Sequence, residues 1–276
     1  MDKWGVLILR DLGLGLSRFD EFQQSSGISP TTLTSRLRHL EQAMPGTTPA
    51  EREAIVRGMW DNLGRVAAET FHIGDLLNDD KRFVPVADAR TEEILSSEQA
   101  CIFVSLHTGN WEMCIQPAVM RGKSVTGVYQ ALKNPGADQI LRDMRKHLYQ
   151  GGLHSKGHQT ARRLVSTLRK GGAVAIMGDL RDVRGIKVPF FGREAYATPV
   201  PASLARTCGV PIVLGRVIRT KDSQFQVEGR AIETIVTDDR KADIAAMTAE
   251  IHRVFEEWIR EHPEQWMWIH RKWAQE

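Results

Sequence analysis

From residue 100 onward, short apolar runs alternate with longer stretches of helical period, and this alternation limits the fold more than any other feature of the chain. The runs at 101–106, 124–129, 173–177, 211–217 and 224–228 have the length and apolar character of strands. Between them lie helical stretches near 111–121, 136–150, 159–170 and 199–208, and a closing helix at 241–261 ends before Pro263. Strands separated in this way predict an α/β fold, a three-layer domain built on a mixed sheet. With 276 residues, 42% of them hydrophobic, the chain has enough apolar surface for a sizeable core.

In such folds the side chains that carry chemistry gather at the carboxyl ends of strands. Ser105-Leu106-His107-Thr108-Gly109-Asn110-Trp111-Glu112 follows the apolar run 101–104, so His107 stands where a strand should end. Gly109-Asn110 supplies a tight turn and a helix N-cap, which puts Glu112 in the first helical turn. A histidine and a carboxylate at that spacing can act as a base and its orienter. Glu112 would accept from one ring nitrogen and fix the tautomer, leaving the other nitrogen to take a proton. The same spacing also occurs around histidines that only support structure.

These residues resemble the His-x4-Asp/Glu signature of the bacterial lipid A biosynthesis acyltransferases, the lauroyl and myristoyl transferase family, and further segments agree with it. MPGTTPAEREAIVRGMWDNLGRVAAE, beginning at Met44, resembles the helical segment that follows that family's membrane anchor. Val128-Tyr129-Gln130-Ala131-Leu132-Lys133-Asn134-Pro135 resembles its Tyr-Arg-x-x-Asn-Asn-Pro segment, with Gln130 and Lys133 in place of the usual Arg and Asn. Arg145, with Gly151-Gly152 beyond it, is a candidate clamp for phosphate or carboxylate, or a solvated helical arginine. Gly178-Asp179-Leu180-Arg181-Asp182 stands where the family has Pro-Asp-Gln-Asp, and Asp179 should project from a strand end. Val188-Pro189-Phe190-Phe191-Gly192 and Ala197-Thr198-Pro199 match its Phe-Phe-Gly and Ala-Thr signature; the paired rings line an acyl channel or pack the core. Residues 262–273 resemble the family's ending, and their tryptophans suit either a bilayer interface or a core.

The resemblance implies an enzyme of lipopolysaccharide biosynthesis. Acyl carrier protein would donate a fatty acyl thioester, and the acceptor would be a hydroxyl of an anionic, Kdo-bearing lipid A precursor. His107 and Glu112 would be catalytic, and Asn110, Arg145, Asp179, Arg181, Phe190 and Phe191 would bind substrate. No P-loop, dinucleotide fingerprint or zinc spacing occurs in the sequence, so no metal and no cofactor is expected. A sibling activity on another glycolipid or on a glycerolipid shares the His-x4-Asp/Glu pair.

Charge adds a separate expectation. The chain carries only +3 in total, but residues 142–193 hold twelve Lys or Arg against Asp143, Asp179 and Asp182, a local excess of +9. Such a segment favours anionic partners. No apolar run approaches the roughly 18 residues that a spanning helix needs. The expected location is therefore peripheral, at the cytoplasmic face of the inner membrane. Cys101, Cys114 and Cys208 are scattered without metal-ligand spacing, as thiols in a reducing compartment would be.

Residues 1–42 differ in kind. KWGVLILRDL, SRFDEF and GISPTTLTSRLRHLE read as three short helices, the last with Ser29 as N-cap and Pro30 at its first position. They resemble HxlR-type winged helix-turn-helix regulators, without that family's wing. Lys3, Arg10, Arg18, Arg36 and Arg38 are balanced by Asp2, Asp11, Asp20, Glu21 and Glu41, whereas DNA affinity depends on neutralising phosphates. The expected organisation is a short all-α segment over 1–42, a remnant or fusion, followed by an acyltransferase-like domain over 43–276. No nucleic-acid partner is expected, and a DNA-binding regulator is the rival.

Overall fold

The computed structural model describes residues 39–269, 272 and 273, and the helix-turn-helix-like stretch up to residue 38 lies outside the described residues. A seven-stranded mixed sheet forms the middle layer. In chain order its strands are β1 (Phe83–Ala87), β2 (Cys101–Ser105), β3 (Val125–Tyr129), β4 (Gly152–Ser155), β5 (Ala173–Met177), β8 (Ile212–Lys221) and β9 (Gln224–Ile232). Their spatial order is β1-β9-β8-β2-β5-β3-β4; only the β8–β9 hairpin is antiparallel. A separate antiparallel hairpin joins β6 (Ile186–Phe190) to β7 (Arg193–Ala197).

Side-chain alternation along β2 explains the layers. Ile102 and Val104 face one core with Val174, Ile212 and Leu214, while Cys101 and Phe103 face a second with Ala173, Ala175 and Val213. The first core is covered by α1 (Pro49–Phe71), α6 (His158–Arg169), α7 (Val200–Cys208) and α8 (Arg240–Glu261). The second is covered by α2 (Ile73–Leu77) and α3 (Ala89–Ser96). Both faces of β2 are thus buried, which is why its five residues read as an unbroken apolar run.

Thr48 and Glu51 form a reciprocal capping box at the start of α1, with Pro49 in its first turn. The helical segment that begins near Met44 runs as α1, and α2 follows after a break at His72. The stretch 111–121 is a 3-10 turn at Trp111–Met113 followed by the short helix α4 (Gln116–Met120). The helix expected over 136–150 is α5 (Pro135–Arg145). Strands β1 and β4 escaped the sequence pattern because they lie at the two edges of the sheet, where Pro85 is tolerated and four of five β1 residues are exposed.

The core also crosses the boundary expected at residue 42. Residues 39–43 are helical. Leu40 and Ala43 are buried within the first core, and the His39 ring packs edge-on against Trp273 with centroids 6.0 Å apart.

Candidate active site

Parallel neighbours bring the site together. β2 pairs with β5 in a register that sets Ser105 opposite Met177, so the residues two positions beyond, His107 and Asp179, leave the sheet side by side. Gly178 makes the approach possible: a β-carbon there would lie 2.7 Å from Val104 Cγ1. The Nδ1 of His107 meets Asp179 Oδ1 at 2.8 Å. Asp179 Oδ2 accepts the backbone N–H of His107 at 2.8 Å and the indole N–H of Trp266 at 2.9 Å. Burial alone would push the Asp179 carboxyl up, but the His107 imidazole and the N–H donors of His107 and Trp266 outweigh it. The group is held well below the usual carboxylate range. A carboxylate can only accept, so His107 Nδ1 carries the hydrogen, and Nε2 is the basic nitrogen of the neutral ring. Asp179 is 1% exposed, whereas the His107 side chain keeps 13% of its surface open.

This arrangement corrects the partner expected for His107. Glu112 does not orient the ring. Its carboxylate is bound by the two prongs of Arg145, Nε donating to Oε2 at 2.8 Å and Nη2 to Oε1. Burial would lower the Arg145 pKa, but the Glu112 carboxylate outweighs it and raises the value, so the arginine stays charged. The guanidinium is therefore engaged within the fold and does not present a free fork to a phosphate. Asn110 is likewise occupied. Its Oδ1 accepts the Glu112 N–H at 3.2 Å, and its Nδ2 donates to Glu69 Oε2 at 2.8 Å.

Glu69 lies near the end of α1, where Arg219 and Ser223 also bind its carboxylate. Asn62, two turns earlier, donates to the carbonyls of Gly109 and Gln265. Gly109 holds φ +54°, and a β-carbon would collide with the Val217 carbonyl, so the turn needs glycine. From the other side, Met267 donates its N–H to the His107 carbonyl at 3.0 Å. The turn carrying His107 is thus tied to α1, to β8 and to the C-terminal segment.

The remaining expected substrate contacts divide. Phe190 and Phe191 are core residues: their rings pack edge-on to each other at 4.8 Å and against Trp266, Trp268 and Trp273. Phe191 adopts φ +52° at the hairpin turn, stabilised by this burial and by Glu256, whose carboxylate accepts the Phe191 N–H at 2.5 Å. The three tryptophans are fully buried too, so they form a core and not a bilayer belt. Arg181 differs. Its guanidinium lies over the Tyr196 ring at 5.3 Å, and its buried Nε has no hydrogen-bond acceptor among the described residues.

Sequence reasoning missed Trp266, Glu69, Asn62 and Arg219 as supports of the site. Only one available signal pointed to the Asp179 pairing: both residues stand just beyond an apolar strand run, and adjacent parallel strands deliver such residues to one place.

The family model described as bacterial lipid A biosynthesis acyltransferase matches residues 31–275, and that of the HxlR-like helix-turn-helix matches residues 1–45. The phosphatidylinositol mannoside acyltransferases of Mycobacterium tuberculosis strains CDC 1551 / Oshkosh and ATCC 25618 / H37Rv are each 27% identical over 172 residues, 60% of this chain and 52% of theirs. The chain spans about half the length of these curated relatives.

Proposed function

Because the chain belongs to the bacterial lipid A biosynthesis acyltransferase family, we propose that it moves a fatty acyl group from an acyl carrier protein thioester to a hydroxyl of a lipid A precursor, with His107 as the base. The observation that carries this is the His107–Asp179 pair at the ends of two adjacent parallel strands. His107 Nε2 takes the proton of the acceptor hydroxyl as its oxygen attacks the thioester carbonyl. The tetrahedral intermediate then collapses, the carbon–sulfur bond breaks, and the thiolate leaves with the proton returned from the imidazolium. Asp179 keeps the ring in the productive tautomer and stabilises the imidazolium, the role first expected of Glu112. A thiol is a good leaving group, so the step needs no enzyme nucleophile.

Glu112 and Arg145 support the turn that carries the reacting ring. Arg181, half-buried with its guanidinium over Tyr196, is the group that would meet an anionic headgroup. Among the described residues no helix is long and apolar enough to cross a membrane. Contact with the cytoplasmic face of the inner membrane would then be peripheral, drawn by the +9 stretch at 142–193. High salt should release the protein from anionic vesicles.

His107→Ala should lower acyl transfer by roughly 10² to 10⁴ without unfolding the protein. Mass spectrometry of lipid A from cells with and without the gene identifies the acceptor. The mannoside acyltransferase relatives favour a second reading, acylation of another glycolipid, and offering both acceptors to the purified protein separates the two. A DNA-reading role for residues 1–42 would require a sequence-selective gel shift that resists salt, which the balanced charges of that stretch argue against.

A further inference from the structure

Arginines over most of the molecule are paired with carboxylates, among them Arg52, Arg121, Arg206, Arg216, Arg219 and Arg230. One edge of the sheet departs from this rule. Arg142 of α5, Lys156 after β4 and Arg163 of α6 are exposed, and none of the three forms a salt bridge among the described residues. Arg163 meets a histidine instead: its Nη1 lies 3.3 Å from Nδ1 of His154 in β4. A guanidinium only donates, so the ring nitrogen accepts, and the arginine is held in place without being neutralised. Burial first, then the charges of Arg163 and Arg142, keep the His154 pKa below its ordinary value; both charges that bear on the ring are positive. Asp138, four residues before Arg142 on α5, is taken up by the Tyr129 hydroxyl at 2.7 Å and the Leu132 N–H at 2.8 Å.

This edge stands beside the active site. Strands β4, β3, β5 and β2 are parallel neighbours in that order, and β4 is the outermost. Their carboxyl ends lie on one side of the sheet. Ser155 is the register partner of Tyr129, Lys156 donates its N–H to the Tyr129 carbonyl at 3.2 Å, and Asp179 and His107 follow β5 and β2. Three strand spacings separate β4 from β2, about 14 Å. Beyond His107 the surroundings are occupied, because Asn62 of α1 binds the Gly109 carbonyl and Met267 binds the His107 carbonyl. Ile140, the exposed apolar residue of α5, is two positions from Arg142 and so faces a different side of the helix. Val183, which a bilayer contact could insert, is in the loop after β5 and not on this edge. What the edge offers a partner is therefore positive charge.

We propose that the edge carrying Arg142, His154, Lys156 and Arg163 is the docking surface for the acidic acyl carrier protein that brings the thioester. The inference rests on the acyl-transfer reading of the His107–Asp179 site. A carrier protein holds its acyl group at the end of a flexible pantetheine arm, so its folded body docks at a distance from the reacting carbonyl. Three strand spacings are a span that such an arm crosses. Unpaired cations suit this role, since no internal salt bridge has to break when the acidic partner arrives. Contacts this exposed are also screened by salt and easily released, as a carrier that must leave after each transfer requires.

The test compares the full chain with the double variant R163E/K156E and with K241E, a reversal at an exposed lysine of α8. KM and kcat are measured on acyl carrier protein thioesters at low and high salt, and binding of fluorescently labelled carrier protein is read by anisotropy. R163E/K156E should raise KM and Kd roughly tenfold at low salt, with kcat within about twofold, and the difference should close at high salt. K241E should match the wild type. R163Q/K156Q should fall between the two, and it decides should the reversed variant not fold. A reversed variant with wild-type KM and Kd would overturn the proposal. So would a variant that loses binding to phosphatidylglycerol vesicles while its carrier binding is intact, which would assign the edge to the bilayer. Acyl pantetheine, a donor without the carrier, separates the surface from the reaction. A wild-type protein that uses acyl pantetheine yet binds the carrier no better than R163E/K156E keeps the reaction and loses the surface; one that uses neither donor loses both.

Discussion

Two buried acid–base pairs leave the same short turn, and they do different work. His107 pairs with Asp179 across adjacent strand ends, through one ring nitrogen, and keeps part of its ring open to solvent. Glu112, five residues on, is 5% exposed and closes a bidentate bond with Arg145 of α5. The first pair contains an imidazole, which can take and return a proton; the second closes a carboxylate on a guanidinium inside the fold. The difference follows from topology. A strand register sets the partner of His107, whereas Glu112 is committed to the helix that follows β3.

The comparison is broken most forcefully at the second pair. Glu112→Gln leaves the Arg145 charge buried without its counterion and should cost about 3 to 5 kcal/mol of stability, read as a drop in the denaturant midpoint at constant slope. Replacing both partners, E112M with R145M, should recover most of that loss, because two apolar side chains leave no uncompensated charge. A double variant as unstable as Glu112→Gln would mean that the pair serves the turn through a specific hydrogen-bond geometry.

A smaller effect sharpens the first pair. The Asp179 carboxyl is depressed in the folded protein, so its contribution to stability is fully present above the ordinary carboxylate range. That contribution is lost as pH falls through this range toward the folded value. Thermal unfolding should therefore show a decline in Tm below about pH 5, and Asp179→Asn should flatten that decline. An unchanged slope would assign the acid sensitivity to other carboxylates.

Much of this was legible in the sequence, for identifiable reasons. The central strands were visible because burial on both faces leaves them almost wholly apolar, as in 101–105 and 173–175. His107 was visible because the turn after β2 needs Gly109 and Asn110 in fixed places. Its partner was not, because 72 residues separate the two and only the β2–β5 register joins them. Phe190 and Phe191 carried a motif without revealing that their rings face Trp266, Trp268 and Trp273, far along the chain near its C-terminal end. The boundary at residue 42 was set by the Pro/Gly/Thr-rich run that begins just after it, Pro45-Gly46-Thr47-Thr48-Pro49. Leu40 fills the core on the far side of that stretch, and no local composition signals such a contact.

The most direct test is a double-mutant comparison of acyl-transfer rates in the His107→Ala background. If His107 and Asp179 act as one unit, Asp179→Asn should lower the wild-type rate by roughly 10² or more and cost almost nothing further once His107 is gone. Glu112→Gln should reduce the rate by the same factor in both backgrounds, because it acts on the turn and not on the ring. The opposite result, with Glu112 coupled to His107 and Asp179 independent of it, would contradict the assignment of the catalytic pair.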